Sequence, residues 1–169
     1  GVDPPGPGAG GGQSGRQARV NFEQRLTVAA PREAVWELVT DIPQVALCIP
    51  GVTKVEHVEG SRYRGTMTVS VGPIRLNLEG NISVERQDKA TWTAAMKADA
   101  AERRIGGGVD ATVSLTLAEK GPAETEMLIT TVANFLGRVG EFGQPVIRKK
   151  ADSTLQDFAK NLQKKLTGG

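Results

Sequence analysis

Val35-Trp36-Glu37-Leu38-Val39-Thr40-Asp41-Ile42-Pro43, with Cys48-Ile49-Pro50-Gly51 close behind it, is the stretch that decides the fold. Pro31 supplies a first helical residue and Glu33 a first-turn acid, while Val35, Leu38, Val39 and Ile42 fall on one helical face. Asp41-Ile42-Pro43 stops that helix, and a second short helix or turn through Val45 to Leu47 leads into Pro50-Gly51, which has type II turn chemistry. A short amphipathic helix and two proline-driven turns therefore precede the bulk of the chain.

Downstream of Gly51 the sequence is strand-like. Segments at roughly 53–58, 62–71, 74–85, 90–99, 109–118 and 124–133 are separated by Glu59-Gly60, Gly72-Pro73, Gln87-Asp88-Lys89, Gly106-Gly107-Gly108 and Lys120-Gly121-Pro122. Connections this short cannot make parallel crossovers, so the run reads as an antiparallel meander. Upstream, Val20, Phe22, Gln24, Leu26 and Val28 alternate with polar residues and predict a further strand, for seven in all.

The period-two pattern assigns faces. Tyr63, Gly65, Met67, Val69 and Val71 share one face, as do Ile74, Leu76, Leu78, Gly80, Ile82 and Val84. Trp92, Ala94, Met96 and Ala98 point inward on the next strand, and Val109, Ala111, Val113 and Leu115 on the one after. The last strand, 124–133, has mixed faces and no assigned orientation. Gly65, Gly80, Ala94, Ala98 and Ala111 interrupt the apolar face, which predicts open space over the middle of the sheet.

A long helix closes the domain. Pro145 stands at its first turn, and Ile147, Ala151, Leu155, Phe158, Leu162 and Leu166 form an apolar stripe along a helix about 33 Å long from 145 to 166. The preceding segment, Phe135 to Gly143, is apolar yet glycine-rich and reads as one or two helical turns suited to a movable lid. The fold class is α+β, with an antiparallel seven-stranded sheet curved around a long C-terminal helix, and a lipophilic cavity between them.

Composition narrows the function. The 169 residues fit one domain, read as 19–166 behind a disordered Gly/Pro-rich tail, 1–18. Aromatics make up only 4% of the chain, and 21 residues are glycine, so the core is built from small and branched side chains. The single cysteine, Cys48, excludes an internal disulfide and reads as a small buried hydrophobe; the single histidine, His57, reads as a surface residue. No His/Cys metal cluster, no Ser-His-Asp spacing and no phosphate loop is present, Gly106-Gly107-Gly108 lacking a strand-to-helix setting. The inward positions carry no carboxylate or arginine, so no catalytic residue is assigned. No apolar run is long enough to span a bilayer and no signal peptide is visible, which reads as a soluble cytoplasmic chain.

Met67, Leu78, Trp92, Ala94, Met96, Ala98, Phe135, Leu136, Phe142, Ile147, Leu155 and Phe158 are the candidate ligand-binding residues, the alternative for any one being ordinary core. The net charge of +2 is uneven, with the excess of cations after Pro145. That is too little for nucleic acid, but Arg148, Lys149, Lys160 and Lys164 make a candidate membrane or partner surface; the alternative is a solvated face with lysines well placed at a helix C-terminus.

Asp41, Cys48-Ile49-Pro50-Gly51, Val71-Gly72-Pro73-Ile74 and Asn134-Phe135-Leu136-Gly137-Arg138, ahead of a long helix, together resemble the G-subunit family of carbon monoxide dehydrogenase, within the START and birch-pollen-allergen superfamily, over residues 20–163. The resemblance implies a helix-grip fold, a lipophilic cavity, and a role beside a molybdenum-containing carbon monoxide dehydrogenase, helping it to reach the membrane and its quinone pool for electron transfer. It implies a non-enzymatic adaptor or carrier of a lipophilic small molecule such as menaquinone or another quinone, with no covalently bound cofactor and peripheral contact with the anionic inner face of the cell membrane. A cyclase or hydrolase of the same superfamily, or an assembly factor with an empty cavity, are the alternatives. Many members carry a C-terminal extension for membrane attachment; the sequence here ends at Gly169, so autonomous anchoring is not expected.

Overall fold

The computed structural model describes residues 17–168, with side chains from Arg19 onward, so most of the tail expected to be disordered lies outside the described residues. Seven strands run in the order β1-β7-β6-β5-β4-β3-β2, every neighbouring pair antiparallel. They are β1 (Gln17–Val28), β2 (Val52–Glu59), β3 (Arg62–Val71), β4 (Ile74–Asp88), β5 (Thr93–Ala101), β6 (Gly107–Gly121) and β7 (Glu124–Gly137). Two short helices, α1 (Arg32–Val39) and α2 (Ile42–Ala46), come after β1, and a 3-10 segment (Arg138–Phe142) leads from β7 into α3 (Gln144–Thr167). This is the helix-grip arrangement: a meander whose first strand returns to pair with its last, closed by one long helix.

Local chemistry explains the boundaries. Asp41 ends α1 and begins α2, its carboxylate accepting the Gln44 backbone N–H at 3.3 Å and the Gln44 side-chain amide at 2.8 Å. Pro31 is the extended residue before α1, not its first helical residue, and Pro145 is the second residue of α3. β7 continues to Gly137, so Phe135 and Leu136 are strand residues where helical turns were expected. Gly137 and Gly107 are cross-strand partners; a Cβ on Gly137 would lie 2.8 Å from the Gly107 Cα, and φ is 62° at Gly137, which only glycine accepts cheaply.

The main core joins α1, the C-terminal half of α3 and the α1 end of the sheet. Leu162 and Met127 are fully buried against Val28, Val35, Leu38 and Leu117, each such side chain contributing about 1.5–3 kcal/mol by leaving water. A second cluster, Val20, Phe22 and Ile147 with Phe135 and Phe142 against it, holds the start of α3 to β1. Because α3 packs along β1, the side chains of β3, β4 and β5 face it across a gap.

Candidate functional site

That gap is a cavity of about 440 Å³ whose walls are almost wholly apolar. The sheet contributes Met67, Val69 and Val71 from β3, Leu76, Leu78 and Val84 from β4, Ala94 and Met96 from β5, Val109, Val113 and Leu115 from β6, and Met127, Ile129 and Phe135 from β7. Ile147, Ala151, Leu155 and Phe158 of α3 form the facing wall, while Val39, Ile42, Val45 and Ile49 close one side from α1, α2 and the turn beyond. Asn161 donates to the Cys48 carbonyl at 2.8 Å, tying α3 to that turn.

Nine of the candidate residues, Met67, Leu78, Ala94, Met96, Phe135, Phe142, Ile147, Leu155 and Phe158, line this cavity, and three do not. Trp92 precedes β5 in a turn with φ of 57°, a left-handed conformation rare outside glycine, which takes its ring off the sheet face. The ring instead meets Trp36 edge-on at 5.8 Å and lies 4.2 Å beneath the Arg32 guanidinium. Ala98 sits between Ile82 and Ala111 in the sheet and contributes no wall. Leu136 alternates with Phe135 and so faces outward, 37% exposed.

The origin of the space also differs from expectation. Gly80 does not leave a hole: a Cβ there would lie 1.9 Å from the Asp99 carbonyl oxygen, so glycine admits close strand approach. The room comes from the stand-off between α3 and the β3–β5 part of the sheet.

The pattern of inward positions does not reveal the polar lining. Gln24, Thr131, Lys150 and Thr154 line the cavity, as do Arg86 and Gln87. Gln24 donates to Asp152 of α3 at 3.1 Å, which brings the β1 side of this group to the helix. Lys150 stands three residues beyond Ile147 of the apolar stripe and is half-buried, its aliphatic stem lying along the wall. Arg86 reaches the cavity because a bulge between Val84 and Arg86 shifts the pairing of β4 with β5. The expectation of no arginine facing the cavity is therefore corrected. Every lining side chain that bears charge is a cation; no carboxylate, histidine or cysteine lines the cavity among the described residues.

Elsewhere, Cys48 is buried, which pushes its thiol pKa up and keeps it protonated. His57 is exposed, bonded to the Gly60 carbonyl at 2.9 Å and stacked edge-on against Tyr63. Glu102 is a buried carboxylate outside the cavity, with its pKa lowered chiefly by the Asn77 backbone N–H and then that of Arg104. Arg148, Lys149, Lys160 and Lys164 are spread along α3, with Arg148, Lys149, Lys160 and Lys164 all exposed. Among the described residues no group of three or more His, Cys, Asp or Glu is placed to hold a metal, and no helix is long and apolar enough to cross a membrane.

Residues 25–167 match the model of the carbon monoxide dehydrogenase G-subunit family, CoxG. The chain belongs to that family. No protein of curated function matches the sequence. Among solved structures, a conserved protein from Geobacillus kaustophilus superposes with a TM-score of 0.80 at 19% identity, over 88% of this chain and 96% of that one. The ZhuI aromatase/cyclase from Streptomyces gives 0.63 at 17%, over 89% and 94%. A START superfamily protein from Mycobacterium smegmatis gives 0.60 at 15%, over 88% and 97%. At these identities the likenesses establish the START-like helix-grip fold shared by this CoxG-family chain and its neighbours.

Proposed function

We propose that this protein is a non-enzymatic carrier or adaptor that binds a quinone, such as menaquinone, and links a molybdenum-containing carbon monoxide dehydrogenase to the membrane quinone pool. The observation that carries this reading is the cavity: about 440 Å³, within the ordinary range for small-molecule sites, and walled by aliphatic and aromatic side chains. Such a space suits a flat ring head and the start of an isoprenoid chain. Its polar groups, Gln24, Thr131, Lys150, Thr154, Arg86 and Gln87, all carry hydrogen-bond donors. Quinone carbonyls are acceptors, so the head group need not leave its hydrogen bonds unmade on transfer from water. Family membership supports the dehydrogenase as partner.

A catalytic reading has two observations in its favour, the presence of Lys150 in a largely apolar chamber and a cyclase among the structural neighbours. Acid–base chemistry there lacks a second partner, since no carboxylate or imidazole lines the cavity among the described residues. Displacement of a bound fluorescent lipid decides between ligands. Stronger displacement by a short-chain menaquinone analogue than by palmitate is expected; stronger displacement by palmitate contradicts the quinone assignment, and no lipid binding at all contradicts the carrier.

A further inference from the structure

We propose that one end of the molecule, formed by the β3–β4 hairpin, the β5–β6 turn and the start of α3, docks on an anionic lipid bilayer. This rests on the carrier reading and names the surface through which the carrier would meet the membrane.

Hydrogen bonds bring these segments together. Val71 and Ile74 close the β3–β4 hairpin. The Arg104 guanidinium donates to the Arg75 carbonyl at 2.9 Å, and Glu102 accepts from the Asn77 backbone N–H, so the β5–β6 turn is pinned to the start of β4. The Arg138 N–H donates to the Gly106 carbonyl at 2.9 Å, which attaches the same turn to the segment that leads into α3.

This end is cationic. Arg75, Arg103, Arg104, Arg138, Arg148 and Lys149 belong to these segments, and Arg75, Arg103, Arg104, Arg148 and Lys149 are exposed. Two carboxylates belong to the same segments: Glu102, buried among the turn's own donors and paired with Arg104 at 3.4 Å, and the exposed Glu141, so six cations stand against two acids. At the opposite end acids are interspersed with the cations: Arg25 pairs with Glu126, Arg32 with Glu119 and Lys89 with Glu33, and Lys120, Lys164 and Lys165 share that end with Asp88 and Glu124. The molecule therefore presents a field that favours one orientation toward a negative surface.

The same end is also apolar at its tips. Ile74 is 40% exposed and Val146 43%, and Leu136 projects from the outer face of β7 near its end. Directly beneath, Val71, Leu76 and Val139 form cavity wall, so apolar surface continues from the tip inward. Exposed aliphatic residues, each with a cation within two positions in sequence (Ile74 and Arg75, Leu136 and Arg138, Val146 and Arg148), over an apolar chamber, match the layered chemistry of a lipid interface, with phosphates outside and acyl chains within. Lys160 and Lys164 lie more than two turns further along α3, on the half that packs toward α1, and are not part of this surface.

Flotation with vesicles of phosphatidylcholine, with and without phosphatidylglycerol, tests the assignment. Binding only to the phosphatidylglycerol vesicles, falling with salt, is expected. Arg103→Glu with Lys149→Glu should weaken it at least about tenfold, and Ile74→Ser with Val146→Ser should reduce it at all salt concentrations, whereas Lys160→Glu with Lys164→Glu should leave it nearly unchanged. Each variant is first shown to melt cooperatively and to bind the fluorescent lipid in solution, which separates a failure of docking from a failure of the carrier reading. Absence of vesicle binding, equal binding to uncharged vesicles, salt-sensitive capture by an acidic protein surface in place of vesicles, or dependence on Lys160 and Lys164 would each overturn the proposal.

Discussion

Asn161 and Cys48, 113 residues apart in sequence, are joined by a 2.8 Å hydrogen bond from the Asn161 side-chain amide to the Cys48 carbonyl. The bond fastens the helical wall of the cavity to the turn that closes its side. Asn161→Leu removes the donor and leaves a partly buried carbonyl unpaired, at a cost of about 1–3 kcal/mol. Chemical denaturation is expected to show that loss, and stopped-flow measurements to show faster lipid release. Unchanged release would mean that this turn does not govern access.

Two alanines on one face of β5 stand at different distances from the cavity: Ala94 lines it and Ala98 does not. Ala94→Phe fills the cavity and is expected to abolish quinone-analogue binding while a cooperative melt persists. Ala98 lies on the same face but is not part of the lining, so Ala98→Phe is expected to weaken binding less than Ala94→Phe does. Loss of binding in the second variant alone would contradict the placement of the cavity wall.

The charge at the cavity makes a selective prediction. With Lys150 in the lining, a fatty-acid carboxylate has a cation within the chamber, so Lys150→Met is expected to weaken palmitate by about tenfold or more and a quinone analogue much less. Competition titrations against the fluorescent lipid measure both. Equal losses would mean that Lys150 supports the wall without choosing the head group.

Much of the fold is legible in the sequence because its period-two and period-3.6 patterns are clean. Met67, Val69, Val71, Leu76 and Leu78 obey strict alternation and all reach the cavity, as do Ile147, Ala151, Leu155 and Phe158 on α3. β7 resists orientation because apolar Leu128 and Val132 on its outer face alternate with Met127, Ile129 and Ala133, a residue pattern with no polar face to mark solvent. Trp92 and Arg86 depart from the pattern for a different reason: a left-handed residue and a bulge each break alternation, and neither leaves a local sequence mark. Lys150 is hidden in the sequence because a charged head at the edge of an apolar stripe reads as solvated unless the stem's packing is known.

The latch at Glu102 has a pH signature. Its carboxyl pKa is lowered in the folded state, first by the Asn77 N–H and then by the Arg104 N–H, so its stabilising contribution is complete above the unfolded value of about 4.3 and is lost as pH falls through the lower folded value. Glu102→Gln removes the charge these donors hold. Thermal melts should place the variant several degrees below the parent at neutral pH, with the gap narrowing under acid. A constant gap would mean that the loss is one of packing and not of charge.

The measurement that bears most directly on the carrier is native mass spectrometry of the protein purified without detergent from cells that make menaquinone or ubiquinone. A single quinone on each chain, released on activation and absent from the Ala94→Phe variant, is expected. An empty chain under conditions that preserve bound lipid, or one carrying only fatty acid or phospholipid, would contradict a quinone carrier.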